Sequence, residues 1–208
     1  MRKEPRQARS RATVATIVEA GARVLSDEGW AGFTTNKVAD AAGVSVGSLY
    51  QYFPDKLSLI EAIRRRHLDD CLAVMRQSQR EGRTLMEFVD DLVRNMIAAH
   101  SVHPKLHRVL LDEAPGFDGF RDPHSSFEAE YLGYYRAAAA TYRAAGACPD
   151  DWTVALILSD AVDGVIHNAA RRGMLESPDV RNELVRMIRL YLADGGAAAG
   201  ADFRKTPG

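Results

Sequence analysis

The chain has 208 residues, 27 Lys and Arg against 28 Asp and Glu, a net charge of −1 and 46% hydrophobic residues, enough to bury a sizeable core. Collagenous and wholly disordered classes are excluded, and two cysteines (Cys71 and Cys148) are too few for a disulfide framework and fit a reducing compartment. No apolar run approaches the roughly 20 residues of a membrane span and no apolar signal segment follows the basic N-terminus, so the expectation is a cytoplasmic protein without membrane association.

The near-zero total hides a segregated charge. Residues 1–66 hold 11 Lys/Arg and 7 Asp/Glu, a balance of +4, which leaves 16 against 21 and −5 for the remainder. Five basic side chains precede residue 12 with only Glu4 among them. Such an arm, over residues 1–9, is a footprint of nucleic-acid binders and equally a common form of solvated terminus.

Helical periodicity runs through the chain and strand-like alternation is scarce, which predicts an all-α fold. A first helix over Ser10–Asp27 carries Val14, Ile17, Val18, Val24 and Leu25 on one face and ends at Gly29. Thr34 or Thr35 caps a short helix through Ala42, Gly43 breaks it, and Ser45 caps another through Phe53. Pro54 starts a long fourth helix with Leu57, Ile60, Ile63, His67, Cys71 and Met75 roughly on one face. Further helices follow over Thr84–Ser101, Lys105–Glu113 and Ser125–Ala145, then from Pro149-Asp150-Asp151-Trp152 and from Ser177-Pro178-Asp179. The expected organisation is an arm (1–9), a three-helix helix-turn-helix domain (10–55), a larger helical domain (56–194) and a disordered Gly/Ala-rich tail (195–208).

Residues 34–53 carry the informative pattern: two short helices around a turn with Gly43, which suits the left-handed backbone of a helix-turn-helix. Ser45, Val46, Gly47, Ser48, Tyr50, Gln51 and Tyr52 on the second helix are small or hydrogen-bonding, and none is acidic. Such a helix fits a major groove about 12 Å wide, where Ser and Gln reach base edges and Val46 a thymine methyl. The hydroxyls of Thr34 and Thr35, with Tyr50, Tyr52 and Lys56, suit phosphates.

Thr34-Thr35, then Val38-Ala39-Asp40-Ala41-Ala42-Gly43-Val44-Ser45, then Gly47-Ser48-Leu49-Tyr50-Gln51-Tyr52-Phe53 and Lys56-Leu57, resemble the DNA-binding signature of tetracycline-repressor-type (TetR family) regulators. Position 52, often His in that family, is Tyr here, and both donate to phosphate. The resemblance covers about residues 10–62. It implies an all-helical homodimer whose N-terminal domain binds double-stranded DNA and whose C-terminal domain dimerises and encloses a small-molecule effector pocket. Thr35, Tyr50, Tyr52 and Lys56 would then touch phosphates, Ser45, Val46, Gly47 and Ser48 would face bases, and Arg9 and Arg11 would reach the backbone or minor groove.

The C-terminal two thirds carry no matching motif. His100, His103 and His107 are spaced for one helical face, but Pro104 interrupts any continuous helix, so they are read as surface or pocket-lining residues and no metal or cofactor is expected. Asp112-Glu113 reads as solvated charge at a helix end. Phe88, Met96, Phe127, Tyr131, Tyr134 and Tyr135, with the three histidines, are candidate effector-pocket residues, and Phe117 and Phe120 extend the aromatic set. The run from Val154 through Val162 to Ile166 is apolar nearly all round; with Leu184, Met187, Ile188 and Tyr191 it would pair two copies across a four-helix interface. The reading is a non-enzymatic repressor released from a palindromic operator by an effector. The competing classes are an all-α metal-dependent enzyme and a helical ligand carrier without DNA binding.

Overall fold

The computed structural model describes residues 8–115, 124–144 and 149–193, without the side chains of Leu111 and Asp112. Most of the basic arm, Phe117, Phe120, Cys148 and the Gly/Ala-rich tail lie outside these residues. The described chain is helical, with no strand: α1 (Ala8–Gly32), α2 (Thr35–Ala42), α3 (Val46–Tyr52), α4 (Lys56–Ser78), α5 (Leu85–Ser101), α6 (Leu106–Arg108), α7 (Ser126–Tyr142), α8 (Asp151–Arg171) and α9 (Pro178–Ala193). A single π-type turn, Val109–Glu113, continues α6.

Helix ends are fixed by local chemistry. Thr34 accepts from Lys37 N at the start of α2, and Gly43 closes it in the left-handed conformation (φ 66°) with its N–H turned back to Ala39 and Asp40 carbonyls. Ser45 caps α3 by accepting from Ser48 N. The fourth helix begins two residues later than expected, because the Asp55 carboxylate takes the Ser58 N–H at 2.7 Å and leaves Pro54 outside the cap. Thr84 with Glu87, Ser125 and Asp150 cap α5, α7 and α8 in the same way. The first helix runs past the expected stop at Gly29, which kinks it (φ 69°), and closes one more turn through Phe33 N to Gly29 O at 3.1 Å. The segment expected as a helix over Lys105–Glu113 is only the short α6 and its π turn.

The buried side chains form two cores. The first gathers Ile17, Leu25, Val38, Ala39, Leu49 and Phe53 from α1 to α3 with Leu59, Ile60 and Ile63 from the start of α4. Gly21 lets α1 and α4 cross closely, since a Cβ there would stand 2.9 Å from Ile63 Cδ1. Leu106 of α6, Val109 and Leu110 of its π turn and Ala114 just beyond it also belong to this first core. The second core joins Cys71, Leu72 and Met75 of α4 to α5, α7, α8 and α9. The cores therefore do not divide at residue 55. One helix, α4, contributes to both, and α6 returns from the larger part to complete the smaller.

Candidate nucleic-acid interface and histidine-lined cavity

The helix-turn-helix face is built as its sequence suggests, with changes in who is free to act. Leu49 and Phe53 are fully buried beneath α3, and Val46 and Tyr52 are half-buried against the same core. Ser45, Gly47, Tyr50 and Gln51 are exposed. Ser45 is occupied as a cap, taking Ser48 N at 3.0 Å and lying 2.8 Å from Ser48 Oγ. The hydroxyls of Thr35 and Tyr50 lie 3.0 Å apart and tie the start of α2 to α3, while Thr34 caps α2 with its side chain exposed. Arg9 and Arg11 already belong to the first turns of α1 and are exposed there.

Lys56 is placed differently from expectation. Its Nζ donates to Trp30 O at 2.9 Å and lies 3.4 Å from the centre of the Trp30 ring, a cation–π contact. Burial pushes its pKa down. The half-buried ammonium fastens α4 to the end of α1. Glu113 is likewise no solvated charge: its carboxylate accepts Trp30 N at 3.0 Å and pairs with Arg108 at 2.8 Å. A Cβ on Gly29 would stand 2.9 Å from that carboxylate, so the kink of α1 and the π turn fit against each other. These contacts couple α6, α1 and α4 behind the recognition helix.

A cavity of 340 Å³ opens between α1, α4, α5, α6 and α8, lined in part by Glu19, Ala22, Arg66, His67, Asp70, His100, His103, His107 and Ala170. The break at Pro104, expected to keep the histidines apart, folds α6 back so that His107 meets His100. His67, from the apolar face of α4, completes the group: one ring nitrogen from each of His67, His100 and His107 lies within 4.8 Å of the others. His107 Nδ1 is 2.9 Å from His67 Nε2, and His167 of α8 stacks on His107 with ring centres 3.5 Å apart. His103 turns away to Glu19 at 3.1 Å. Burial, then the neighbouring His100 and His103, push the His67 pKa down to about 3. Burial also depresses His100 and His107, so the cluster is neutral at pH 7.

The candidate aromatics do not line this cavity. Met96, Tyr131 and Tyr135 are buried in the second core, and Phe127 and Tyr134 pack at its margin. Phe88 borders a separate 280 Å³ hollow with Tyr142 and Arg83. Tyr131 donates to Asp163 at 2.8 Å, and burial raises its pKa well above the ordinary tyrosine range.

Two family models together span most of the chain. Residues 17–63 match bacterial regulatory proteins, tetR family, and residues 84–192, more than half of the chain, match the tetracyclin repressor-like C-terminal domain. The chain belongs to the tetR family. The nucleoid occlusion factor SlmA of Actinobacillus pleuropneumoniae is 31% identical over 93 residues, 45% of this chain and 46% of that protein. The transcriptional activator FasR of Mycolicibacterium smegmatis is 39% identical over 64 residues, 31% of this chain and 29% of that one. The chain thus spans less than half the length of these relatives. The solved structure of the fatty acid degradation regulator FadR from Bacillus halodurans has a TM-score of 0.66 at 18% identity, over 88% of this chain and 99% of that one, a likeness of fold.

The sequence pattern did not point to His67, Glu19, Arg66 and Asp70 of the cavity lining, nor to His167, which stacks on His107. His67 was legible only as one more position on the apolar stripe of α4. The signal available was a histidine four residues before Cys71 on a face otherwise aliphatic. No helix in the described residues is long and apolar enough to cross a membrane.

Proposed function

We propose that this protein is a homodimeric, sequence-specific DNA-binding transcriptional repressor, released from a palindromic operator when a small molecule enters the cavity beside His67, His100 and His107. The observation that carries the DNA-binding part is the exposed face of α3, on which Ser45, Gly47, Tyr50 and Gln51 stand clear of the core and no side chain is acidic. A Cβ on Gly47 would meet nothing nearer than Ser45 Oγ at 3.9 Å, so the backbone there is open to a groove floor. Thr34, Thr35, Tyr50 and Tyr52 are the phosphate contacts of this reading, with Ser48 and Gln51 at base edges. Lys56 is reassigned to holding α4 against Trp30.

The partner is a second copy. Trp152, Leu156 and Ile157 of α8 and Leu190 of α9 are 42–57% exposed. Gly164, on α8, faces open space. Large apolar side chains around a small residue suit a closely packed isologous interface. Two recognition helices about 34 Å apart would then meet successive major grooves on one face of DNA. The cavity wall includes Glu19 and Ala22 of α1, so a ligand there acts on the helices that support α2 and α3.

Fluorescence anisotropy with the protein's own upstream DNA tests this. The wild type binds a near-palindromic fragment with an affinity that falls steeply with salt. Tyr50→Ala removes the shift, and Leu156→Glu gives a monomer by light scattering that binds DNA weakly. Equal binding by wild type and Tyr50→Ala sinks the assignment.

A further inference from the structure

The histidine cluster has a chemistry that ligand enclosure alone does not require. His100 Nδ1 lies 2.9 Å from Met96 O. A carbonyl only accepts, so Nδ1 carries the hydrogen and Nε2 carries the lone pair. That Nε2 is buried, finds no hydrogen-bond partner among the described residues, and belongs to a side chain only 4% exposed. Fixing one ring nitrogen on a backbone carbonyl while the other stays bare is how proteins orient a histidine toward a metal.

We propose that His67, His100 and His107 form a binding site for one divalent transition-metal ion of the zinc class per protomer, with a fourth position open to the 340 Å³ cavity. Three neutral imidazoles with one open position suit zinc, cobalt or nickel rather than calcium or magnesium. In tetrahedral geometry the ligand nitrogens would stand about 3.3 Å from one another. The present spread, 2.9 Å for the nearest contact and at most 4.8 Å, is closed by small side-chain rotations. His67 Nε2 and His107 Nδ1 share one hydrogen across their contact. The ion takes its place once the imidazole that carries it adopts its other neutral tautomer, with no net release of protons. His103 is excluded as a ligand by its contact with Glu19.

The three ligands come from α4, which contributes to both cores, from α5 of the second core and from α6 of the first. An ion there fixes α6, and through Glu113 the kink of α1, at a set distance from α4. The metal site stands on the side-chain geometry alone. Its consequence for DNA rests on the repressor reading, and the two are measured separately.

The test uses full-length protein purified without a polyhistidine tag, stripped with chelator and titrated with Co²⁺ and then Zn²⁺. The expected result is one equivalent retained per protomer after gel filtration, with a cobalt visible spectrum of four-coordinate intensity that zinc abolishes. His100→Ala and His67→Ala lower the affinity by at least the 10- to 100-fold typical of losing a supporting residue, while His103→Ala leaves it unchanged. Histidine ring ¹⁵N spectra of the wild type need no variant to fold: zinc should shift His67, His100 and His107 and spare His103 and His124. Retention well below one equivalent by the wild type, or undiminished binding by folded His100→Ala, overturns the proposal. Anisotropy with and without zinc reports the effect on DNA, and absence of DNA binding in both conditions would count against the repressor reading and leave the metal result to stand on its own.

Discussion

The two apolar cores are built from the same aliphatic and aromatic side chains but are closed differently. The first sets two short helices, α2 and α3, between the long α1 and α4, with ends pinned locally by Thr34, Gly43, Ser45 and Asp55, and it is finished by Leu106, Val109, Leu110 and Ala114 arriving from far along the chain. The second is made of long helices and leaves Trp152, Leu156, Ile157 and Leu190 uncovered. The first core is therefore complete only with side chains from beyond α5, whereas the second leaves an apolar face exposed.

The largest effect is expected from Leu110→Ala. Leu110 is fully buried in the first core although it lies beyond α5. The truncation should cost about 2–5 kcal/mol and weaken DNA binding as a change in α1 would. Urea melts followed by Trp30 fluorescence in a Trp152→Phe background, and by circular dichroism, should move together. Separate transitions would show that the cores unfold independently.

Acid should come next. His67 is depressed to about 3 from 6.5, and His100 and His107 are also depressed, so below pH 6.5 the unfolded chain binds protons that the folded chain refuses. Stability of the metal-free protein is then full above pH 6.5 and falls as pH drops toward 3, by about 1.4 kcal/mol per unit for a single such histidine. Urea midpoints at pH 7.5 and 5.5 measure it, and His67→Gln should flatten the slope.

Smaller effects test the joint between the cores. Gly29→Ala forces a side chain into a φ of 69° and toward Glu113, for about 1–2 kcal/mol and a fall in Tm of about 2–8 °C. Lys56→Met keeps the stem and loses the ammonium over Trp30, about 1 kcal/mol of stability. Because that ammonium is engaged within the fold, the salt dependence of DNA binding should stay the same. A phosphate-binding lysine would instead change the slope by about 1.

What was legible in the sequence was local. The capping residues Thr34 and Ser45, the left-handed Gly43 and the acid-free face of α3 act within a few residues of their partners, so spacing alone revealed them. The contact of Lys56 with Trp30 was not legible, because Trp30 lies on another helix and the motif pointed outward to phosphate. The histidine cluster draws on α4, α5, α6 and α8, and no periodicity relates His67 to His107. Pro104 was read as a barrier between ligands when the turn it permits is what brings them together. Glu113 looked like a helix-end charge until the kink at Gly29 presented Trp30 N to it.

The shared helix α4 also sets a gearing ratio. From His67 to Lys56 it spans 11 residues, about 16 Å at 1.5 Å per residue, so a tilt of roughly 10° about the histidines carries its first turn about 3 Å. In the homodimer proposed above the displacement would double to about 6 Å, set against a groove repeat of roughly 34 Å. A movement no larger than a few imidazole rotations at one end would thereby become a misfit of a sixth of a helical turn at the other.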